Sequence, residues 1–366
     1  MKSNEIIRSY GTDYLNMTLR LLNTADLASE IGDTEKRILI KPNLVTPSPA
    51  DFGATTHPEI IAGIIEYLKK HGFYDITIAE GSWVGDKTSE AFDICGYNNL
   101  ADKYGIKLLD DQKDSSYKCD CAGMELNICS CVKDADFIIN VPVLKGHCQT
   151  KMTCALKNMK GLIPNSEKRR FHTMGLHKPI AHLNAGIHQD FIVVDHICGD
   201  LSFEEGGNPV IKNCIMVAKD PVLTDAYVCS LLGYKTDDVP YIKYAADLGV
   251  GSDDLNRLSV ATLEGSDTEN SDVKKHILDV SYAVDDVDSC SACYAMLVPA
   301  LLQLKDDGLL DKLTKKIAIG QGHRGKTGVI GVGRCTSGFE YCIKGCPPST
   351  EDIYDRLKRF IESRDY

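Results

Sequence analysis

Short apolar runs, each bounded by charged or turn residues, recur along the first two thirds of this chain and limit its fold more than any other feature. Arg37-Ile-Leu-Ile-Lys41, Asp75-Ile-Thr-Ile-Ala79, Asp136-Phe-Ile-Ile-Asn-Val-Pro-Val-Leu144, Asp190-Phe-Ile-Val-Val-Asp195 and Cys214-Ile-Met-Val-Ala218 all read as strands. Between the first two, Thr56 can cap a helix with Pro58 and Glu59 in its first turn, running to about Lys70 and stopped by Gly72. Strand, helix, strand at this spacing is a βαβ unit, and such units build parallel sheets. The expected fold class is therefore α/β, a mostly parallel sheet with flanking helices, joined to a small C-terminal α/β unit.

Other segments fill in this plan. Leu15, Leu19, Leu22 and Leu27 have helical spacing, predicting one amphipathic helix from Tyr14 to Ile31, and Asp237 to Val260 reads as a further helix through Ile242, Ala245 and Leu248. Glu264 to Asp272 has almost nothing to bury. It is read as a linker (264–272) between a larger α/β domain (1–263) and a small unit (273–366). The small unit is expected to hold a helix over Tyr294–Leu304, strands at Lys316–Ile319 and Val329–Gly333, and a closing helix over Glu351–Ser363.

Ligands of open α/β sheets bind at the carboxyl ends of the strands, where Lys41, Asn43, Glu80 and Ser82 would fall. Asp195 and Asp220 also end strands. After Leu144 the chain becomes dense in cations and donors: Lys145, His147, Gln149, Lys151, Thr153, Lys157, Asn158, Lys160, Lys168, Arg169, Arg170 and His172. With a net charge of −11 overall, such a local concentration implies an anionic small molecule rather than nucleic acid or an anionic membrane. A helix over Thr150–Met159 would carry Lys157 and bring Lys160 near its end. Lys41, Asn43, Lys151, Lys157 and Lys160 are then the anion-binding candidates. His147, with Lys145 beside it, is the general acid/base candidate, because neighbouring cations displace a histidine pKa easily. A solvated loop of ordinary lysines is the plainer alternative. Asp225 is expected to favour the dipole of its own helix.

Cysteine chemistry points to a metal. Fifteen cysteines, an odd number scattered through apolar segments, fit a reducing compartment better than a disulfide scaffold. No targeting segment or membrane span is visible, so the expected location is cytoplasmic. Cys290-Ser-Ala-Cys293, Gly333-Arg-Cys335 and Gly345-Cys346-Pro-Pro348 put four thiolates on tight turns, as a [4Fe-4S] cluster requires. Zinc is the rival metal, buried thiols the plain alternative, and Cys342 is an extra candidate ligand. Cys119, Cys121, Cys129 and Cys131 would share one face if Gly123 makes a hairpin; core packing is favoured there over a second metal.

The Cys-x-x-Cys, Gly-x-Cys and Gly-Cys-Pro-Pro pattern resembles the cluster-binding pattern of the nickel–iron hydrogenase small subunit and its relative in respiratory complex I. That resemblance implies Cys290, Cys293, Cys335 and Cys346 as ligands. Lys-Pro-Asn-Leu-Val, Thr-His-Pro-Glu, Asn-Val-Pro-Val-Leu-Lys-Gly-His, Leu-Lys-Asn-Met-Lys-Gly-Leu-Ile-Pro and Lys219-Asp220-Pro221-Val222 resemble the family called domain of unknown function 362, over roughly Lys41 to Gly249. Its members often carry iron–sulfur ligands beside this domain. A more distant likeness to the nickel-pincer lactate racemases gives no placeable metal ligand. The functional expectation is a redox enzyme or redox-linked protein with a redox partner protein. The alternatives are a non-redox isomerase, hydrolase or ligase with a structural or Lewis-acid cluster, and an electron carrier without a substrate.

Overall fold

A computed structural model describes residues 1–201, 204–207, 209–267, 280, 282–287, 289 and 291–363. They divide into two compact units, Met1–Val273 and Lys274–Tyr366. Residues 268–272 of the expected linker lie outside the described residues, as does Cys290.

In the first unit the strands are β1 (Glu5–Tyr10), β2 (Ile38–Pro42), β3 (Ile76–Glu80), β4 (Lys107–Asp110), β5 (Ser116–Cys121), β6 (Met124–Cys129), β7 (Phe137–Val141), β8 (Lys145–His147), β9 (Lys151–Thr153), β10 (Phe191–His196), β11 (Cys214–Ala218) and β12 (Ser259–Glu264). Eight of them form one sheet in the order β12-β1-β11-β10-β7-β2-β3-β4; β5 with β6 and β8 with β9 form separate two-stranded pairs. From β10 to β4 every pairing is parallel. Strand β11 runs against both β10 and β1, and β12 is parallel to β1.

Alternation explains why the central strands carry apolar side chains on both faces. Leu39, Ile138, Ile192 and Val194 join the core on one face, with Leu156, Leu183 and Val222. Ile38, Ile40, Ile139 and Val193 join the core on the other, with Leu21, Ile61 and Ile64. Helices cover both faces, as parallel sheets demand, and each fully buried aliphatic side chain contributes ~1.5–3 kcal/mol.

Several local expectations need correction. The Tyr14–Ile31 segment is two helices, Tyr14–Ala25 and Leu27–Ile31, because Asp26 adopts a left-handed conformation (φ 54) between them. Thr56 does not cap the Pro58–Lys70 helix; its hydroxyl donates to the Val141 carbonyl, tying that loop to β7. The helix at Pro240 ends at Asp247, before Gly249 (φ 77), and the chain beyond it becomes the exposed edge strand β12. Thr150–Met159 is not one helix. It is β9, a short helix at Ala155–Asn158 and a 3₁₀ turn at Met159–Leu162.

That short helix starts where it does because of Asp225. Asp220, not Asp225, caps the Pro221–Leu231 helix, accepting from the Val222 and Leu223 amides. Fully buried Asp225 instead accepts from the Ala155 (2.7 Å) and Leu156 (3.2 Å) amides, satisfying two orphan donors of a neighbouring helix. Burial raises its pKa to about 7. Asp225→Ala should therefore cost ~1–3 kcal/mol in urea unfolding, the penalty for leaving buried amides unmade. A loss below ~0.5 kcal/mol would contradict the capping role.

The second unit contains β13 (Val284–Asp286), β14 (Ile317–Ile319), β15 (Ile330–Val332) and β16 (Tyr341–Ile343), all parallel and adjacent in that order. Helices span Ser291–Asp306 and Thr350–Glu362, the latter with Ser349 accepting from the Asp352 amide as its cap.

Candidate functional site

At the carboxyl ends of β2, β3 and β7 lies a buried polar lattice. Lys41 is 0% exposed, and its ammonium pairs with Glu80 Oε2 at 2.8 Å while donating to the Pro42 carbonyl at 2.6 Å. Glu80 also accepts the Leu44 and Gly81 amides. Asn43 donates to Asn158 Oδ1, Asn158 to Asn140 Oδ1, Asn140 to Gln189 Oε1, and Gln189 to Asn184 Oδ1. Lys145 Nζ gives its three protons to Asn43 Oδ1, the Ala54 carbonyl and the Glu204 carbonyl. Lys41, Asn43 and Lys145 are thus held in the scaffold, which fixes the loops around them.

The side chains facing outward from this lattice are others. Lys157 and Lys160 are half-buried, on the short helix and the 3₁₀ turn after it. Burial lowers the Lys157 pKa to about 8. Burial, then the charges of Lys157 and Lys168, pulls Lys160 well below its ordinary value. Burial, then Lys160 and Lys157, pushes His172 down to about 3. Lys157 reaches only the Thr153 hydroxyl at 3.4 Å, and Lys160 has no hydrogen bond or ion pair among the described residues. Burial and mutual repulsion thus favour the neutral form of each of these groups.

His147 borders this cluster. Its Nδ1 accepts the Gln149 (3.0 Å) and Thr150 (3.2 Å) amides, leaving Nε2 protonated and 3.5 Å from Glu204 Oε1. Burial, then Lys157 and Lys160, depresses its pKa, so the ring is neutral. Glu204 further accepts from the Cys148 thiol at 2.9 Å and the Cys148 amide. His147, Cys148 and Glu204 thus form a compact set of donors able to hold a metal. Lys151 is drawn away, pairing with Asp238 at 3.1 Å near the surface. Its positive φ (66°) turns the chain at the start of β9. Glu204 carried no signal in the sequence, since Glu204-Glu205 before two glycines looks like a solvated loop.

The β5–β6 cysteines do not converge. Cys121 faces Met124 near the turn, Cys119 faces Leu126, and Cys129 faces Ser116 at the far end, at least ~10 Å along the ladder from Cys119. Cys131 lies on the following helical turn, 3.3 Å from Asp111 Oδ1. Cys121 and Cys129 belong to the core.

In the second unit, Cys335 follows β15, Cys346 follows β16, and buried Cys293 opens the helix after β13. These are carboxyl ends of parallel strands. Gly333 adjoins Cys293: a Cβ there would meet Cys293 Sγ at 2.8 Å and the Gly345 carbonyl at 3.8 Å. Its own carbonyl faces the Cys342 thiol at 3.7 Å. The Arg334 amide donates to the Gly345 carbonyl, clamping the Cys335 and Cys346 turns together. Cys335 Sγ also accepts from Arg324 Nε at 3.4 Å. Two thiols, Cys293 and Cys342, thus lie against Gly333, and Cys290 lies outside the described residues.

Similarity to known proteins can be set beside this geometry. A family model described as Domain of unknown function (DUF362) matches residues 38–230, just over half of the chain. A thylakoid-associated protein of Synechocystis sp. is 27% identical over 179 residues, 47% of this chain and 54% of that protein. The chain spans about half the length of this curated relative. Among solved structures, the lactate racemase apoprotein from Thermoanaerobacterium thermosaccharolyticum aligns over 62% of this chain and 56% of its own, at 14% identity and a TM-score of 0.40. A Thermotoga maritima protein aligns over 68% of this chain and 60% of its own, at 12% identity and a TM-score of 0.37. No described helix is long and apolar enough to cross a membrane.

Proposed function

This chain belongs to the family described as Domain of unknown function (DUF362), and since that name carries no reaction, we propose a function from its sites: an iron–sulfur redox protein of a reducing, cytoplasmic compartment that binds an anionic small molecule. Cys290, Cys293, Cys335 and Cys346 hold one [4Fe-4S] cluster in the second unit, with Cys342 the neighbouring spare thiol. The cluster supplies one-electron chemistry, exchanged with a partner protein. In the first unit Lys157, Lys160 and His172 receive the anion, and His147 stands at its margin as a neutral imidazole.

The observation that supports this reading is that Gly333 lies against the Cys293 and Cys342 thiols, while the Arg334 amide bonds the Gly345 carbonyl and so joins the backbone turns that carry Cys335 and Cys346. Anaerobically purified protein should contain about four irons and four sulfides per chain, with an EPR signal on reduction. All of these should be lost in Cys293→Ala. Zinc without sulfide would sink the redox reading and make the second unit a structural metal module.

A further inference from the structure

A second group of donors stands apart from the cationic cluster. Asp51 sits on the turn Ala50–Phe52, His57 directly precedes the Pro58–Lys70 helix, Asp195 lies in β10 and Cys198 follows it. His57 and Cys198 are 5% exposed and Asp195 1%, whereas the Asp51 side chain is 93% exposed. Asp195 Oδ2 takes both the His57 amide and Nδ1, each at 2.8 Å, which fixes the ring and keeps a proton on Nδ1. Nε2 then points the other way. It lies 3.6 Å from Cys198 Sγ and 3.6 Å from Asp51 Oδ1. The three donor atoms all lie within 4.8 Å of one another.

The two loops that carry Asp51 and Cys198 are fastened together. The Asp200 amide donates to the Gly53 carbonyl at 3.0 Å. Gly53 has φ 84°, and a Cβ there would come within 2.6 Å of the Asp200 nitrogen and 2.7 Å of the Cys198 carbonyl. Only glycine permits this approach.

We propose that His57 Nε2, Cys198 Sγ and the Asp51 carboxylate are three ligands of a zinc-class divalent ion, with Asp195 as the outer carboxylate that orients His57 and a fourth position open to water beside Asp51. Bonds of ~2.0–2.1 Å to nitrogen and ~2.3 Å to sulfur at tetrahedral angles put those two atoms about 3.6 Å apart, which is the separation found. A buried carboxylate on the far nitrogen of a ligating histidine is the usual supporting contact in such sites. Zinc binds the Nε2 lone pair and takes the place of the Cys198 thiol proton, which points toward the Ala50 carbonyl at 3.4 Å.

The test is equilibrium dialysis of the full chain against Zn²⁺, repeated with Co²⁺ to read thiolate charge-transfer absorption. Wild type, Asp51→Asn and Cys198→Ser are compared, so that zinc on the second unit's cysteines cancels in the difference. Cys198→Ser should lose one equivalent and its share of the absorption, and Asp51→Asn should weaken that equivalent at least about tenfold. Because Asp51 is exposed, its variant keeps the fold and decides the matter even if Cys198→Ser is unstable. Zinc should also protect Cys198 from iodoacetamide. Unchanged stoichiometry and affinity in Asp51→Asn would overturn the site. So would alkylation of Cys198 at equal rates with and without zinc, which would make His57 and Cys198 a base–thiol pair instead.

Discussion

Glu80→Gln should destabilise the first unit by ~3–5 kcal/mol, because it leaves the Lys41 ammonium buried without its counter-charge. Lys41 is 0% and Glu80 3% exposed, so water cannot take over. The amide fails on a second count. Glu80 Oε2 receives both Lys41 and the Leu44 amide, and Oε1 receives the Gly81 amide. Whichever way the glutamine turns, its NH₂ confronts an N–H donor. In thermal unfolding this corresponds to a fall of about 6–20 °C, at ~2–4 °C per kcal/mol for a unit of this size. The double variant Lys41→Met/Glu80→Leu should recover only the part of the loss that comes from the uncompensated ammonium, since the Leu44 and Gly81 amides remain without their acceptor. A loss under ~1 kcal/mol for the single variant would refute the pairing.

Inorganic phosphate or pyrophosphate should raise the melting temperature of the protein at pH 7, and the effect should fade above about pH 8. Lys157 titrates near 8 in the folded chain, lowered from 10.5 by burial. Between these values the unfolded chain holds a proton that the folded one has released. Stability without ligand therefore rises with pH from about 8 to 10.5. An anion favours the charged lysine, so its binding weakens as pH climbs through 8, and saturating anion flattens the rise. Lys160→Met removes one cation of the cluster, so anion affinity should drop by about tenfold or more, the worth of one charge-assisted contact. Melting curves from pH 6 to 10.5, with and without phosphate, read both effects. A melting temperature indifferent to every anion, and flat across that range, would dismiss the receptor.

How much of this was legible beforehand depended on the residue. β2, β3, β7, β10 and β11 announce themselves because both faces are buried and each is a largely apolar run. β12 could not, since all six residues are exposed and its place is set chiefly by its pairing with β1. Cations were visible as a class, but their roles were not. Lys41 and Lys145 look like Lys157 in a sequence, and only the partners Glu80, Asn43 and Glu204 show which are held inside. Asp225 misled for the same reason: its position suits its own helix, yet its carboxylate serves another. His57 and Cys198 are 141 positions apart, and no local spacing reports a pair that distant.

The chain of amides from Asn43 through Asn158, Asn140 and Gln189 to Asn184 also works as an error check on assembly. Each link joins a different segment, and β7 enters through Asn140 opposite Lys41 of β2. If β7 slipped by one residue against β2, Asn140 would turn to the opposite face and an apolar side chain would meet Asn158 and Gln189. Their buried amides would then be stranded in a dry interior, where each unmade bond costs ~1–3 kcal/mol. A misaligned sheet of equal oiliness thus lies well above the native one in energy. Apolar strands as interchangeable as Ile-Leu-Ile and Phe-Ile-Ile acquire a unique order from a few polar atoms that have only one way to be satisfied.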